Sequence, residues 1–139
     1  MSVLDFVNSI YEKYGYFRES QVSGTFKGQS GLEIMKNLMS GMRSSPPEQI
    51  GGIRIKEARD YKKRITINNI TLPEADVLQF SLEDGSMITV RPSGTEPKIK
   101  FYISCREKPG KELEQAKADA GEKAAAMEKD IKKIIDSAK

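Results

Sequence analysis

"LQFSLEDGSMITVRPSGTEPKIKFYISC", residues 78–105, contains three stretches that alternate at period two. Leu78, Phe80 and Leu82 alternate with Gln79, Ser81 and Glu83, and Met87–Val90 runs back. Beyond residue 97, Ile99, Phe101, Ile103 and Cys105 share one face while Lys100, Tyr102, Ser104 and Arg106 share the other. Such alternation marks strands with one face buried. Asp84-Gly85 predicts a two-residue type I′ hairpin turn, which needs positive φ at both central positions. The stretch therefore reads as a three-stranded antiparallel meander. Its second connection, "RPSGTEP" at 91–97, holds far more polar chemistry than a hairpin needs in order to turn.

Working outward, residues 111–138 form a long helix. Leu113, Ala116, Ala120, Ala124, Met127, Ile131, Ile134 and Ile135 fall on one stripe at three- and four-residue spacing. Its alanines permit close approach to a sheet, and its lysines and glutamates read as a solvated face. A second helix is expected from about Gly31 to Met42, burying Leu32, Met35, Leu38 and Met39, with Ser30 and Glu33 in a capping-box pattern. "SSPPEQIGG" reads as loop, because its prolines and glycines break both regular structures. "IRIKEA" alternates as a strand with Ile53 and Ile55 inward, and residues 16–26 read as extended. "YKKRITINNITLPEAD" is either a short edge strand at Ile65 and Ile67 or a surface loop. The first residues place Val3, Leu4, Phe6, Val7, Ile10, Tyr11 and Tyr14 on one helical stripe ended by Gly15. Strands in series, with helices at two points and no strand–helix alternation, argue for an α+β fold rather than a doubly wound one.

Composition narrows the chemistry. The 139 residues suffice for one ordinary domain, with 31 % charged residues and a formal net charge of +3. That balance is too weak to announce nucleic-acid binding, though it permits a local anion site. Histidine is absent, which removes the commonest general base and the serine–histidine triad. The one cysteine, Cys105, excludes an internal disulfide and a cysteine zinc cluster, and reads as a buried structural thiol. No apolar run is long enough to cross a bilayer, and the acidic N-terminal stretch does not resemble a signal peptide, so a cytoplasmic location is expected.

In the loop, Ser93-Gly94-Thr95-Glu96 formally matches a capping box, but Pro97 and the strand pattern after it reject a helix start. Pro92 fixes φ on entry and Pro97 on exit. Arg91 offers a planar fork suited to a tetrahedral oxyanion, and Ser93 and Thr95 supply hydroxyl donors. Gly94, lacking a Cβ, lets its amide approach an anion closely. These donors suit a phosphate, held with an affinity on the order of millimolar. Spacing alone leaves a second reading equally open, in which Arg91 pairs with Glu96 and the loop is only a turn. Neither reading supplies a nucleophile or base, so no catalytic residue and no metal site is assigned.

"VRPSGTEPKIKFYI" closely resembles the signature loop of the C-terminal domain of phosphoglucomutases and phosphomannomutases, the α-D-phosphohexomutase superfamily. "IYEKYGYF", "GLEIMKNLMSGMRSSPPEQIGGI", "FSLEDGSMITV" and the long last helix agree with it; residues 60–76 agree least. The resemblance implies the fourth domain of a four-domain isomerase. Its fold would be a TATA-binding-protein-like β-α-β4-α arrangement, an antiparallel sheet with helices packed on one face. Residues 1–15 would be a linker helix from the preceding domain, and 16–139 the domain itself. Arg91, Ser93, Gly94 and Thr95 match the family's phosphate-contacting positions, while Lys98 and Lys100 add positive field without an assigned contact. The implied partners are a glucose or mannose 1- or 6-phosphate and the other three domains. The implied cofactor, Mg2+, is held by another of those domains and not by this chain, which alone would be inactive. A nucleic-acid-binding module is the alternative suggested by the basic charge, although the sheet's polar face carries only Tyr102 as an aromatic. A protein-interaction module with an outward-facing first helix is another. Neither nucleic acid nor a membrane is expected as a partner.

Overall fold

The computed structural model describes residues 2, 3, 6, 15–61, 66–67, 70–71, 76–93, 96–108, 110 and 112–139. The elements run β1 (Tyr16–Thr25), α1 (Gly31–Ser44), β2 (Gln49–Ile50), β3 (Ile53–Asp60), β4 (Thr66–Ile67), β5 (Ile70–Thr71), β6 (Leu78–Leu82), β7 (Met87–Pro92), β8 (Lys98–Glu107) and α2 (Leu113–Ala138). One six-stranded antiparallel sheet has the order β1-β8-β7-β6-β3-β2, and β4-β5 form a separate small hairpin. The α+β architecture and the β6-β7-β8 meander are as expected. The helix expected over residues 1–15 lies mostly outside the described residues. Of those described there, the Phe6 N–H donates to the Ser2 carbonyl, and Val3 and Phe6 are exposed.

The core lies between one sheet face and both helices. Ile88, Val90, Ile99, Phe101, Ile103 and Cys105 are fully buried and join Met35, Met39, Met42, Met127 and Ile131 in one cluster. Strand β8 sits between β1 and β7, paired along its length from Tyr16↔Glu107 to Thr25↔Lys98, which explains why its inward residues are so completely enclosed. Helix α2 crosses β1 and β8 on its alanine stripe. Gly24 makes that approach possible, because a Cβ there would lie 2.7 Å from Cγ2 of Ile135.

Four local expectations are corrected. Leu32 is exposed: the inward stripe of α1 is Gly31, Met35, Met39 and Met42, and Leu32 falls beside it. Ser30 makes no side-chain cap; only its carbonyl engages, accepting the Ile34 N–H at 2.9 Å. The turn at Asp84-Gly85 is a three-residue connection, closed by Leu82 N–H to Ser86 O at 2.8 Å and Gly85 N–H to Leu82 O at 3.0 Å, with Gly85 at φ 88°. The Asp84 carboxylate sets it, accepting the Ser86 N–H and hydroxyl, both at 2.9 Å. Finally, Gln49–Ile50 is strand rather than loop. Ile50 pairs with Ile53 around Gly51-Gly52, whose φ values of 63° and 78° are those of a type I′ turn. The glycines that seemed to break structure make this hairpin, and buried Ile50 anchors it beneath α2. In the ambiguous stretch after Asp60, Ile67 lies in a short strand, Thr66–Ile67, that pairs with Ile70–Thr71 apart from the main sheet, and Ile65 lies outside the described residues.

Two ion clusters tie the periphery. Arg43 on α1 spans Asp60 at 2.9 Å and Asp76 at 2.6 Å, clasping the two ends of the β4-β5 excursion. Lys123 on α2 meets Asp84 and Glu107, each at 3.0 Å. Burial opposes charge on Lys123, but its carboxylate partners outweigh it and raise the pKa. Burial likewise opposes charge on Asp84, yet the bonds from Ser86 and Lys123 hold its pKa below the ordinary value.

Candidate anion site at the β7–β8 loop

The loop between β7 and β8 is braced by its own backbone. The Ser93 N–H donates to the Lys98 carbonyl at 2.8 Å, continuing the ladder one step beyond Pro92↔Ile99. Pro92 therefore turns its ring nitrogen toward β6, and β6 begins only opposite Val90, so the missing N–H costs no ladder bond. The Glu96 N–H donates to the Ser93 hydroxyl oxygen at 3.1 Å, fixing that oxygen's position. The Lys98 N–H reaches back to the Glu96 carbonyl at 2.7 Å around Pro97, whose locked φ suits so tight a turn.

The exit of the loop is also tied to the rest of the domain. The Phe26 N–H, just past β1, donates to the Pro97 carbonyl at 2.8 Å. The start of α1 is packed against the same place, with the Cβ position of Gly31 only 3.0 Å from Cβ of Pro97. The entry and the exit of the loop are thus each tied by backbone hydrogen bonds.

An open cavity of about 380 Å³ lies at this loop, lined by Arg91, Pro92, Ser93, Glu96, Lys98, Lys100 and Tyr102. Three cations and one carboxylate face it. Arg91 and Lys100 are direct cross-strand partners, and both stand on the sheet face away from the helices. Among the described residues no ion pair joins Arg91 to Glu96, so the plain-turn reading gains no support. Two of the four residues expected at a phosphate site, Arg91 and Ser93, thus meet at one cavity; Gly94 and Thr95 lie outside the described residues. Lys100, to which sequence spacing assigned no contact, lines the same cavity. Period-two alternation places it on the polar face, but only strand register sets it opposite Arg91.

Elsewhere, Cys105 is buried against Met127, and burial pushes its thiol up to about 11, which fits a structural thiol. Among the described residues no group of three or more histidine, cysteine, aspartate or glutamate side chains could hold a metal ion. No described helix is long and apolar enough to cross a membrane.

A helix-backed antiparallel sheet with a cationic loop at one end defines an α+β domain. This chain belongs to the phosphoglucomutase/phosphomannomutase C-terminal domain family, which matches residues 47–123. It is similar to a phosphoglucomutase of Staphylococcus saprophyticus, 36 % identical over 105 residues that cover 70 % of this chain and 19 % of the relative. A "Probable phosphomannomutase" of Haemophilus influenzae is 32 % identical over 121 residues, covering 87 % of this chain and 23 % of the relative. A phosphoglucomutase of Staphylococcus aureus strain MRSA252 is 33 % identical over 109 residues, covering 73 % and 20 % respectively. The chain thus spans about a fifth of the length of the curated relatives it matches.

Proposed function

We propose that this chain is the phosphate-clamping domain of a cytoplasmic phosphohexomutase acting on glucose or mannose 1- and 6-phosphates. Arg91, Ser93, Gly94 and Thr95, joined by Lys100, hold the phosphate that does not react, and the other three domains supply the chemistry and the Mg2+. Residues 1–15 lead in from the preceding domain, and 16–139 form the clamp. The observation that carries this reading is the direct cross-strand placement of Arg91 and Lys100 beside Ser93 at the loop cavity. Like charges set opposite each other on a sheet are unfavourable by some tenths of a kcal/mol and become favourable when an anion sits between them.

The chain's own contribution is positional. An arginine fork and an ammonium fix a tetrahedral dianion from one side, and a serine hydroxyl held by the Glu96 amide adds a polar contact. Holding the spectator phosphate orients the reacting end of the sugar elsewhere, converting binding energy into alignment. Because the loop supplies neither a nucleophile nor a base, the isolated chain is expected to be inactive as a mutase.

Amide-resolved NMR titration with glucose 1-phosphate tests this. Shifts are expected at residues 91–95 and at Lys100, lost in Arg91→Ala, with no response to unphosphorylated glucose. Silence at these residues, or mutase turnover by the chain alone, overturns it.

A further inference from the structure

Besides its cations, the loop cavity contains an aromatic ring and a carboxylate. Tyr102, 38 % exposed, lines it one side-chain repeat along β8 from Lys100, and Glu96 lines it from the loop. A carboxylate beside an oxyanion site repels the anion, and the negative face of an aromatic ring offers a phosphate nothing. Both groups suit the body of a sugar. An aromatic face accepts the C–H edges of a pyranose ring, and a carboxylate accepts hydrogen bonds from hydroxyls.

The apolar core does not call on the Tyr102 ring. Its neighbours Phe101 and Ile103 point into the core, whereas Tyr102 points away from it. Its cross-strand partner is Thr89, and Gln79 lies beyond Thr89. That rung is polar: the Tyr61 hydroxyl donates to Gln79 Oε1 at 3.1 Å, and Gln79 Nε2 approaches Thr89 Oγ1 at 3.5 Å. The residues paired with Tyr102 on its two neighbouring strands, Thr89 and Gln21, are both polar. Same-face residues on a strand repeat at roughly 6.8 Å, so whatever is esterified to a phosphate between Arg91 and Lys100 comes within reach of that ring.

We propose that Tyr102 and Glu96 read the sugar attached to the phosphate, so that the cavity itself distinguishes a sugar phosphate from inorganic phosphate. This rests on the assignment of Arg91 and Lys100 as the phosphate-holding pair. Tyr102 stacks on the ring, and Glu96 accepts a hydroxyl at the loop side while disfavouring a free phosphate.

The test is a pair of NMR titrations on the 139-residue chain, one with inorganic phosphate and one with glucose 1-phosphate. Wild type is expected to bind the sugar phosphate about 3- to 10-fold more tightly, the span of an aromatic contact. Tyr102→Leu should erase that preference and leave inorganic phosphate unchanged, which also shows that the variant is folded. Glu96→Gln, on the exposed loop, should narrow the preference by strengthening inorganic phosphate. Equal affinities in wild type, or equal weakening of both ligands in Tyr102→Leu, overturn the proposal and leave the phosphate site standing. Binding of neither ligand at residues 91–100 overturns the phosphate assignment and this proposal together.

Discussion

Two glycine-to-alanine substitutions on α1 should act in opposite directions, and the difference probes how the loop is held. At Gly31 a Cβ would lie 2.2 Å from the Phe26 carbonyl oxygen and 3.0 Å from Cβ of Pro97. A backbone oxygen cannot swing aside as a side chain would, so α1, the end of β1 or the loop exit must move. Such overpacking costs about 1–3 kcal/mol. Disturbing the Phe26–Pro97 hydrogen bond adds about 1 kcal/mol, and the helical gain of alanine over glycine returns about 0.5–1 kcal/mol. The net expectation for Gly31→Ala is about 1–3 kcal/mol of destabilisation, a fall in Tm of roughly 3–10 °C for a chain of this size. At Gly41 no heavy atom lies within 4 Å of the added Cβ, so only the helical gain remains. Gly41→Ala should therefore raise stability by about 0.5–1 kcal/mol. Urea and thermal unfolding by circular dichroism measure both. Because Pro97 bounds the loop, Gly31→Ala should also weaken phosphate binding several-fold below the folded-state midpoint, while Gly41→Ala leaves it unchanged. A Gly31→Ala chain as stable as wild type, with undiminished phosphate affinity, would refute the idea that the start of α1 wedges the loop exit.

Arg91→Lys keeps the charge but loses the planar fork, and should weaken phosphate binding by about 10-fold in the same titration; an unchanged affinity would show that charge alone suffices. Lys123→Met leaves the buried Glu107 carboxylate without its ammonium and should destabilise by about 2–3 kcal/mol in urea, less than a wholly buried pair because Lys123 is partly exposed; Glu107→Gln in the same background should recover part of it. The same cluster sets a pH window. Asp84, depressed below 3.8, contributes stability that is present above that value and lost as pH falls through its folded pKa. Lys123, raised above 10.5, contributes stability that is complete below that value and lost as pH rises through its folded pKa. Unfolding free energies measured from pH 2 to 12 should show both edges in wild type, and Lys123→Met should shrink the acid edge and abolish the basic one. Cys105, fully buried with its thiol pushed up to about 11, should react with a disulfide reagent at pH 8 only in step with unfolding; rapid reaction of the native chain would contradict its burial.

Much of this domain was legible in its residues because the relevant physics is local. Period-two alternation at Leu78–Leu82, Met87–Val90 and Ile99–Cys105 names the strands and their inward faces. The alanine and isoleucine stripe of residues 116–135 names the helix that covers them. The arginine, serine and prolines of 91–97 made an anion loop one of two readings, since donor chemistry and fixed φ belong to residues one at a time. What sequence could not decide depends on partners distant in the chain. Asp84 reshapes its turn through its bonds to Ser86 and its ion pair to Lys123 on a helix 39 positions away. Gly51-Gly52 forms a hairpin because Ile50 finds a buried place and the Gly51 N–H finds Asp130 at 2.7 Å. Leu32 is left outside because α1 turns its methionines toward the sheet. The sequence by itself thus determined the β6-β7-β8 meander with its inward faces and the helices α1 and α2. Only the tertiary structure decided that Lys100 stands opposite Arg91 and that Tyr102 lines the same cavity, because strand register, set by where Ser93 and Lys98 close the loop, is a property of the pairing and not of either strand alone.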